Sequence, residues 1–311
     1  VTLAIDSMGG DHGPSVTVPA ALNYMRGDRD TRIVLVGRPE AIEPHVGTAF
    51  AEFGERLRIQ RASEVVGMDE PPAQAMRSKK DSSMRVAVDL VKSGEAQAAV
   101  SAGNTGALMA ISRFVLKTLP GIDRPAICST LPTLRGQTHV LDLGANVDCS
   151  PEHLLQFGIM GAMLVAAVEH NERPSVGLLN IGEEPEKGNL VAQATYNLMK
   201  DSKDFHFVGN VEGRDLFNDK ADVIVCEGFT GNVVLKTAEA FYTMMRKQKI
   251  KNDYFDKFNY EIYGGTPILG INSNVLIAHG ISSPTAFKNM LLLAKEIVDA
   301  KLSEKIKQAF Q

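Results

Sequence analysis

The chain has no tryptophan, and aromatic residues make up only 6% of its 311 residues. Cysteine is scarce too: Cys128, Cys149 and Cys226 are too few and too scattered for a disulfide framework, and none forms a Cys-x-x-Cys pair. We find neither the pattern of a signal peptide nor an apolar run that we expect to span a membrane. These absences predict a cytoplasmic protein in a reducing compartment.

An excess of positive charge is also lacking. The chain has 33 basic and 37 acidic residues and a formal net charge of −4, which argues against a general nucleic-acid-binding protein. No Gly-x-Gly-x-x-Gly motif follows a predicted strand, so the pattern of a nicotinamide dinucleotide site is missing. The remaining composition, with 44% hydrophobic and 23% charged residues, is typical of a globular protein with a large core.

Strand and helix patterns alternate along the chain. Short aliphatic runs predict strands over 3–6, 32–36, 57–61, 98–101, 138–143, 175–181, 205–211 and 222–226. Helical apolar spacing predicts helices over 19–24, 82–93, 105–119, 151–168, 189–200 and 233–245, and Ser283-Pro284 begins a last helix. This alternation predicts a three-layer αβα fold of the α/β class, with a mostly parallel sheet in a single domain over residues 1–311.

Four of these strands end in turns of small polar residues, at 8–14, 101–107, 144–148 and 227–232. Backbone N–H groups in such turns, at the start of a helix, bind anions well. One such turn alone is more often an ordinary strand–helix connection. Because ligands of open α/β sheets bind at the carboxyl ends of strands, four turns together predict one shared site for a small anion.

The turns also carry specific motifs. These are Asp-Ser-Met-Gly-Gly-Asp at 6–11, Ser-Ala-Gly-Asn-Thr-Gly-Ala at 101–107, Gly-Ile-Asp-Arg-Pro-Ala at 121–126, Leu-Asp-Leu-Gly-Ala-Asn-Val-Asp at 141–148, Asn-Ile-Gly-Glu-Glu at 180–184, Glu-Gly-Phe-Thr-Gly-Asn at 227–232, Tyr-Gly-Gly at 263–265 and Ala-His-Gly at 278–280. With them, in this order along nearly the whole chain, the sequence resembles the acyl-ACP:phosphate acyltransferase family, the PlsX proteins of bacterial phospholipid synthesis. The resemblance implies a fold similar to that of isopropylmalate dehydrogenase.

The implied reaction is attack of inorganic phosphate on the thioester of a long-chain acyl-acyl carrier protein, which gives acyl phosphate for phosphatidic acid synthesis. The enzyme must hold phosphate and stabilise a developing oxyanion. The candidate catalytic residues are Lys187, Asn232 and His279. The candidate phosphate- or substrate-binding residues are Asp6, Gly9, Gly10, Asp11, Ser101, Gly103, Asn104, Thr105, Gly106, Arg124, Asp142, Asn146 and Gly231. No cofactor is implied.

Each candidate has a structural alternative. Lys187 lies among three glutamates, as a solvated loop lysine does, and Asn232 stands where an N-cap is common. His279, like His12, is at least as readily a structural histidine, and Arg124 is as easily paired with Asp123. For the carboxylates Asp6, Asp11, Asp142 and Asp148, a metal site is the alternative; we favour carboxylates that orient donors, with no metal.

The resemblance also implies partners. Acyl carrier protein is acidic, so the basic cluster Arg77, Lys79, Lys80 and Arg85 is a candidate docking patch, with a solvated helix face as the alternative. A homodimer, a downstream glycerol-phosphate acyltransferase and an anionic membrane surface are further partners, the last through a mobile or membrane-facing insertion at 246–262, at the inner face of the cell membrane. Met244 and Met245 are candidates for an acyl groove.

Other classes of function fit parts of the pattern. A phosphate acetyltransferase-like enzyme would use acyl-CoA in the same chemistry. A decarboxylating dehydrogenase of the isopropylmalate type would share the fold but lacks its dinucleotide motif here, and fold similarity does not transfer function. A non-enzymatic membrane scaffold for lipid enzymes would not need the polar strand ends.

Overall fold

The computed structural model describes residues 1–311, which form two compact units. The first unit comprises Val1–Lys117 and Tyr260–Ala300, and the second comprises Thr118–Asn259 and Lys301–Gln311. Each unit has a mostly parallel sheet with flanking helices, so the predicted α/β class is confirmed.

The first unit contains strands β1 (Thr2–Asp6), β2 (Arg32–Gly37), β3 (Leu57–Arg61), β4 (Ala98–Ser101), β10 (Thr266–Leu269) and β11 (Asn274–Ile277). Its helices are α1 (Pro14–Gly27), α2 (Pro39–Val46), α3 (Ala49–Phe53), α4 (Pro72–Ser78), α5 (Ser83–Lys92), α6 (Thr105–Leu116), α11 (Tyr260–Tyr263) and α12 (Pro284–Asp299). The strands pair in the order β3-β2-β1-β4-β11-β10, and all pairs are parallel except β10 with β11.

Both faces of the central strands β1 and β2 are buried. Ala4 and Val34 belong to a core cluster with residues of α5 and α6, whereas their neighbours Leu3 and Ile33 point to the other face, as alternation in a strand requires. Helices α1 and α12 contact each other and these strands. Burial on both faces explains the uninterrupted apolar runs that made these strands predictable.

The second unit contains β5 (Ala126–Pro132), β6 (Gln137–Leu141), β7 (Ser175–Leu179), β8 (His206–Val211) and β9 (Val223–Val225). Its helices are α7 (Pro151–Val168), α8 (Leu190–Met199), α9 (Gly228–Lys247), α10 (Asp253–Asp256) and α13 (Leu302–Ala309), with short 3-10 turns at Gly213–Phe217 here and at Gly54–Arg56 in the first unit. The strand order is β5-β6-β9-β7-β8, with β5 antiparallel to β6 and the other pairs parallel.

Helix α7 lies against β6, β9 and β7. Its 18 residues are long and apolar enough to cross a membrane, contrary to the sequence-based expectation, but 56% of the helix is buried within the structure. Phe157 and Met160 are fully buried, and Gly161 lets the helix approach Val223 and Leu141. By these contacts α7 is a core helix, which passes the same test of length and composition as a membrane span.

The predicted elements are found, with differences at their ends and some omissions. Strands β5, β10 and β11 were not predicted, since β5 contains Ser, Thr and Pro and the other two have four residues each. Helix α9 begins at Gly228, five positions before the predicted start, because the Glu227 carboxylate caps it by accepting from the Thr230 N–H. The segment 246–262 contains the end of α9, α10 and the start of α11; its mobility and membrane contact stay predictions.

Candidate active site

The turn after β6 is organised by one buried carboxylate. Asp142 accepts hydrogen bonds from the backbone N–H groups of Ile127, Ala145 and Asn146 at 3.0, 3.3 and 2.6 Å, and from Asn146 Nδ2 at 3.0 Å. Burial raises the pKa of Asp142, and these donors oppose that shift. The second hydrogen bond of Asn146 Nδ2 goes to the Pro125 carbonyl at 2.8 Å. Asp142 and Asn146 thus shape the turn from within.

The start of α9 lies directly against this turn. A Cβ at Gly231 would come within 1.8 Å of the Asp142 carbonyl oxygen, and one at Gly228 within 2.6 Å of the Asn146 carbonyl oxygen, so both positions require glycine. The Gly228 N–H donates to that same Asn146 carbonyl at 2.7 Å. The close contact brings Asn232 to the rim of the turn, where its side chain faces Gly144.

Asn232 is not an N-cap, since it lies inside α9 and Glu227 caps the helix. Its side chain is exposed and makes no hydrogen bond. The amide is therefore available as a donor at the carboxyl ends of β6 and β9.

Lys187 lies in the loop that follows β7. The loop is closed by Asn180, whose Nδ2 donates to the Lys187 carbonyl at 3.1 Å, and by Gly188, where a Cβ would come within 2.4 Å of Asn180 Oδ1. The Lys187 ammonium is exposed and has no ion pair. Its neighbour Glu183 is neutralised by Lys220 at 2.5 Å instead. Lys187 therefore does not balance this glutamate, and its charge is free for a ligand.

A pocket of about 540 Å³ lies among these elements of the second unit. Its lining includes Asp148 and Cys149 before α7, Asn180 and Gly188 in the β7–α8 loop, and the first turns of α8 and α9. The N-terminal ends of both helices face it. The Glu227 carboxylate already caps α9, so the partial positive charge that favours an added anion is that of α8.

An apolar groove of about 650 Å³ adjoins this pocket. It runs along α9 from Gly144 and Asn232 to Met244. Val147 and Phe229 line both the groove and the pocket, so the two share a wall. Of the two methionines predicted for an acyl groove, Met244 lines it, and Met245 does not.

Arg124 and a cluster of acids complete the candidate groups of the second unit. Arg124 donates to the Asp148 carbonyl at 2.9 Å, whereas Asp123 bonds with Gln156. A group of acidic oxygens that could hold a metal is found elsewhere, at Glu183, Glu212 and Asp215. Lys220 and Arg214 form ion pairs with this group.

In the first unit, Asp6 ends β1 in full burial. Its Oδ2 accepts from Ser101 Oγ at 2.7 Å, and Ser101 Oγ accepts from the Gly103 N–H at 3.0 Å. Asp6 Oδ1 has no partner. Burial raises the pKa of Asp6, and the bond from Ser101 partly offsets the rise. Gly9 lies against this carboxylate, since a Cβ there would come within 2.6 Å of Oδ2.

Asn104 uses its whole side chain within the fold. Its Oδ1 caps α6 by accepting from the Ala107 N–H at 3.0 Å, and its Nδ2 donates to the carbonyls of Gly67, Met68 and Glu70 at 3.2, 3.0 and 2.8 Å. No N–H of this amide is left for a phosphate. The helix that it caps begins with Thr105 and Gly106.

The turn after β11 joins the same cluster. The Asp11 N–H donates to the Gly280 carbonyl at 2.8 Å, and a Cβ at Gly10 would come within 3.1 Å of that oxygen. The His279 ring lies 5.1 Å from the ring of Tyr260. The first unit therefore brings together the candidates of the turns at 8–14 and 101–107 with the residues around His279.

The four residues of the predicted docking cluster differ in whether they form ion pairs within the protein. Lys79 donates to the Val65 carbonyl and to Glu70, both at 2.6 Å, and Arg85 forms an ion pair with Asp89 at 3.0 Å. Arg77 and Lys80 are exposed.

Sequence reasoning predicted Met244 but missed several other residues of the pocket and groove. Phe229, Val233, Phe241 and Met244 recur at spacings of four, eight and three, which places them on one face of a helix. A second apolar stripe on the same helix, with Val234 and Ala238, packs inward. Two stripes on one helix were the signal that one face is left for a ligand or partner.

Two solved phosphotransacylases and a solved dehydrogenase share this fold. EutD phosphotransacetylase from Staphylococcus aureus superposes with a TM-score of 0.64 at 12% identity, covering 97% of this chain and 94% of that protein. A branched-chain phosphotransacylase from Enterococcus faecalis superposes with a TM-score of 0.63 at 13% identity, covering 96% of this chain and 99% of that protein. The 4-hydroxythreonine-4-phosphate dehydrogenase from Klebsiella pneumoniae superposes with a TM-score of 0.54 at 13% identity, covering 96% of this chain and 97% of that protein. At these identities the likeness concerns the fold alone.

Sequence relatives define the family. The family model described as "Fatty acid synthesis protein" matches residues 1–305. Curated phosphate acyltransferases from Halorhodospira halophila and Chromobacterium violaceum are 48% and 49% identical, covering 92% and 95% of this chain and 89% and 91% of those proteins. The chain therefore belongs to the phosphate acyltransferase family, the PlsX proteins, and is an enzyme of that class.

Proposed function

We propose that the enzyme transfers a long-chain acyl group from the thioester of acyl carrier protein to inorganic phosphate. A phosphate oxygen forms a bond to the carbonyl carbon, the carbon–sulfur bond breaks, and the carrier thiolate leaves and takes a proton from solvent. The observation that carries the proposal is the shared wall at Val147 and Phe229, which joins a polar pocket to an apolar groove. A thioester with a long chain needs both environments next to each other.

The free polar groups of the second unit suit the two charges of this reaction. Phosphate is an oxygen nucleophile at neutral pH, so its binding needs positive charge rather than a base. We assign this to Lys187 and to the N-terminal end of α8. The Asn232 amide would donate to the oxyanion of the tetrahedral intermediate, a role in which one lost donor typically costs a factor of about 100 to 1,000 in rate.

The cysteines near the pocket favour direct attack over an acyl-cysteine intermediate. Burial raises the pKa of Cys149 to about 12, and burial also raises the pKa of Cys226 well above its ordinary value. A thiol that stays protonated is a poor nucleophile. We therefore propose a single transfer without a covalent enzyme intermediate.

The test is acyl phosphate formation from palmitoyl-carrier protein and phosphate without added metal. Wild type is compared with Lys187→Ala and Asn232→Ala, and circular dichroism checks that both variants stay folded. We expect turnover by wild type and its loss in the variants. Turnover that survives both changes would move the site towards His279 or Arg124, and no turnover by wild type would refute the proposed reaction.

The donor has one specific competitor, acyl-CoA. Because two solved phosphotransacylases share this fold, acyl transfer from acyl-CoA to phosphate should be measured as well. Matched palmitoyl donors on carrier protein and on CoA separate the two: a higher kcat/KM for the carrier supports the proposal, and a higher value for CoA supports the alternative.

We also propose a homodimer that works at the inner face of the cell membrane and supplies acyl phosphate to a glycerol-phosphate acyltransferase. The exposed side chains Ile250 and Ile262 lie in a segment that includes Arg246, Lys247 and Lys249, a pattern that suits anionic headgroups. Co-sedimentation with phosphatidylglycerol vesicles, but not with phosphatidylcholine vesicles, is the expected result. Sedimentation velocity tests the dimer.

A further inference from the structure

Phe114 leaves an aromatic ring on the surface of the first unit. It lies in the last turn of α6 and is 53% exposed. The Lys117 ammonium lies 5.0 Å from the centre of the ring, and the Arg85 guanidinium lies 5.7 Å from it. Cations at these distances are attracted to an aromatic ring, so the ring is held in place before any partner binds.

The surroundings of Phe114 are basic in a chain that is acidic overall. Residues 71–117 contain seven basic and three acidic side chains, whereas the whole chain has a net charge of −4. Each of the three acidic side chains is engaged with another residue: Asp81 with Ser63, Asp89 with Arg85, and Glu95 with Arg58. Four of the basic side chains are exposed and form no ion pair, namely Arg77, Lys80, Arg113 and Lys117.

Helices α4, α5 and α6 bring these side chains to one side of the first unit's sheet. Both α4 and α5 pack against α6, and residues of α5 and α6 belong to the same core cluster. Phe114 is the one large apolar side chain within 71–117 that is exposed. The outer faces of the three helices therefore form one basic surface with a single aromatic ring on it.

We propose that this surface docks acyl carrier protein, with Phe114 as the apolar contact and the four unpaired cations around it. The inference rests on the proposed function and deepens it, because it assigns recognition of the carrier to residues that need not touch the thioester. Arg113, Phe114 and Lys117 lie outside the cluster at 77–85 that charge spacing predicted.

Two features favour an acidic protein over other occupants. First, an acidic carrier supplies partners for cations that have none within the chain, and complementary charge of this kind steers association. Second, protein interfaces combine an apolar centre, in which aromatic residues and arginine are enriched, with a polar rim. A helix that binds a membrane instead presents a broad apolar face, and α6 exposes one large apolar side chain.

Helix α6 connects this surface with the turn at 101–107. The helix begins at Thr105, just after β4, and Phe114 lies nine residues later, about 14 Å along the helix axis. A carrier docked at Phe114 therefore stays away from the turn, and only the arm that bears its thioester needs to reach the strand ends. A thioester on free pantetheine should not depend on this surface.

Phe114 has a matched control in the same unit. Phe50 on α3 is also an exposed phenylalanine, with 38% of its surface accessible. Phe114→Ala removes the apolar contact, Phe114→Tyr keeps the ring, and Phe50→Ala removes a ring elsewhere. Circular dichroism melting checks that the variants stay folded.

The proteins are assayed with palmitoyl-carrier protein and with palmitoyl-pantetheine, and binding of fluorescently labelled carrier protein is measured by anisotropy. We expect Phe114→Ala to lower kcat/KM for the carrier donor and to weaken carrier binding about ten-fold, with palmitoyl-pantetheine turnover within about two-fold of wild type. Phe114→Tyr and Phe50→Ala should resemble wild type with both donors.

The charges around Phe114 are tested separately. Arg113→Glu with Lys117→Glu should weaken carrier binding about ten-fold at low salt, and the effect should shrink at high salt, where exposed charges are screened. Arg29→Glu with Arg32→Glu is the control, because it changes the net charge equally at two exposed arginines near the amino end of β2. Equal weakening in this control would show that net charge alone explains the effect and would overturn the proposal.

The outcomes separate this inference from the proposed function. No turnover of any donor by wild type refutes the proposed function, while carrier binding still tests the docking surface. Carrier binding that is unchanged in Phe114→Ala and in the Arg113–Lys117 double variant overturns the docking surface alone. An equal loss of turnover with palmitoyl-pantetheine would place Phe114 in the reaction site instead, and loss of vesicle co-sedimentation with unchanged carrier binding would identify a membrane surface; both results also overturn it.

Discussion

The two units contain strand ends of similar composition and use them differently. In the first unit, Ser101 and Asn104 are engaged in hydrogen bonds within the protein. In the second unit, Asp142 is engaged in the same way, but Lys187 and Asn232 are exposed and unpaired. The first unit therefore uses these side chains for its own architecture, and the second leaves a cation and an amide for a ligand.

The difference separates two effects of mutation. Loss of a bonded polar side chain leaves buried groups without partners and lowers the free energy of unfolding. Loss of an exposed, unpaired side chain leaves the fold unchanged and reduces only what that group does for a ligand.

The largest expected effect is on Lys187. We expect Lys187→Ala to lower kcat for acyl phosphate formation about 100- to 1,000-fold, because the only unpaired cation of its loop would be lost from the site. The melting temperature should be unchanged. Lys203 is the control, an exposed lysine of the same unit before the amino end of β8. If Lys203→Ala reduces kcat as much as Lys187→Ala, general electrostatics explains the effect and the assignment fails.

The next effect concerns Asn104. Asn104→Ala removes the cap of α6 and leaves three carbonyls of the segment 67–70 without their hydrogen-bond donor. We therefore expect the free energy of unfolding, measured by urea denaturation, to fall by about 3 kcal/mol. Asn189, the N-cap of α8, bonds only the Ala192 N–H and is exposed. Asn189→Ala should cost about 1 kcal/mol. Equal costs would contradict the architectural role of Asn104.

The two strand-end aspartates give a smaller and pH-dependent contrast. Both carboxylate oxygens of Asp142 accept hydrogen bonds from backbone N–H groups, and in Asp142→Asn an amide NH2 group replaces one of these oxygens. We expect the free energy of unfolding to fall by about 2 kcal/mol. Asp6→Asn, with one oxygen unpartnered, should change the free energy of unfolding by less than about 1 kcal/mol at pH 7.

The pH dependence of Asp6 has a definite sign. Because burial raises its pKa above the ordinary value of 3.8, the folded state keeps a proton that the unfolded chain releases. This group's stabilisation is fully present below pH 3.8 and is lost as the pH rises through the folded-state pKa. In Asp6→Asn that loss should be absent, which urea denaturation across the pH range would measure. A variant with the same pH profile as wild type would exclude Asp6 as its source.

Much of the fold could be predicted from the sequence, because strands buried on both faces are continuous apolar runs and helix starts have recognisable caps. The sequence could not predict which polar side chains are free of hydrogen bonds within the protein. Gly103-Asn104 and Gly231-Asn232 have the same dipeptide after a strand, yet Asn104 caps a helix and bonds a distant segment, whereas Asn232 lies inside a helix and is free. Only the tertiary partners, 34 to 37 residues away for Asn104, distinguish the two.

The sequence also could not predict which of the candidate docking cations are held in ion pairs. Lys79 and Lys80 are neighbours of equal charge in the sequence, but Lys79 is held by Glu70 and the Val65 carbonyl, while Lys80 is exposed. The spacing of charges predicted a cluster over 77–85 and could not divide it, because the ion pairs depend on residues from another loop.

The smallest expected effect tests that division on the acyl carrier protein. Arg77→Glu with Lys80→Glu should raise KM for the acyl-carrier donor a few-fold at low salt with kcat unchanged, because exposed charges steer an acidic partner. The increase should shrink at high salt, as screened interactions do. Lys79→Ala should instead lower the melting temperature, since it breaks the ion pair with Glu70, and leave KM close to that of wild type. An unchanged KM in the double variant at low ionic strength would remove this face of the first unit as the docking site.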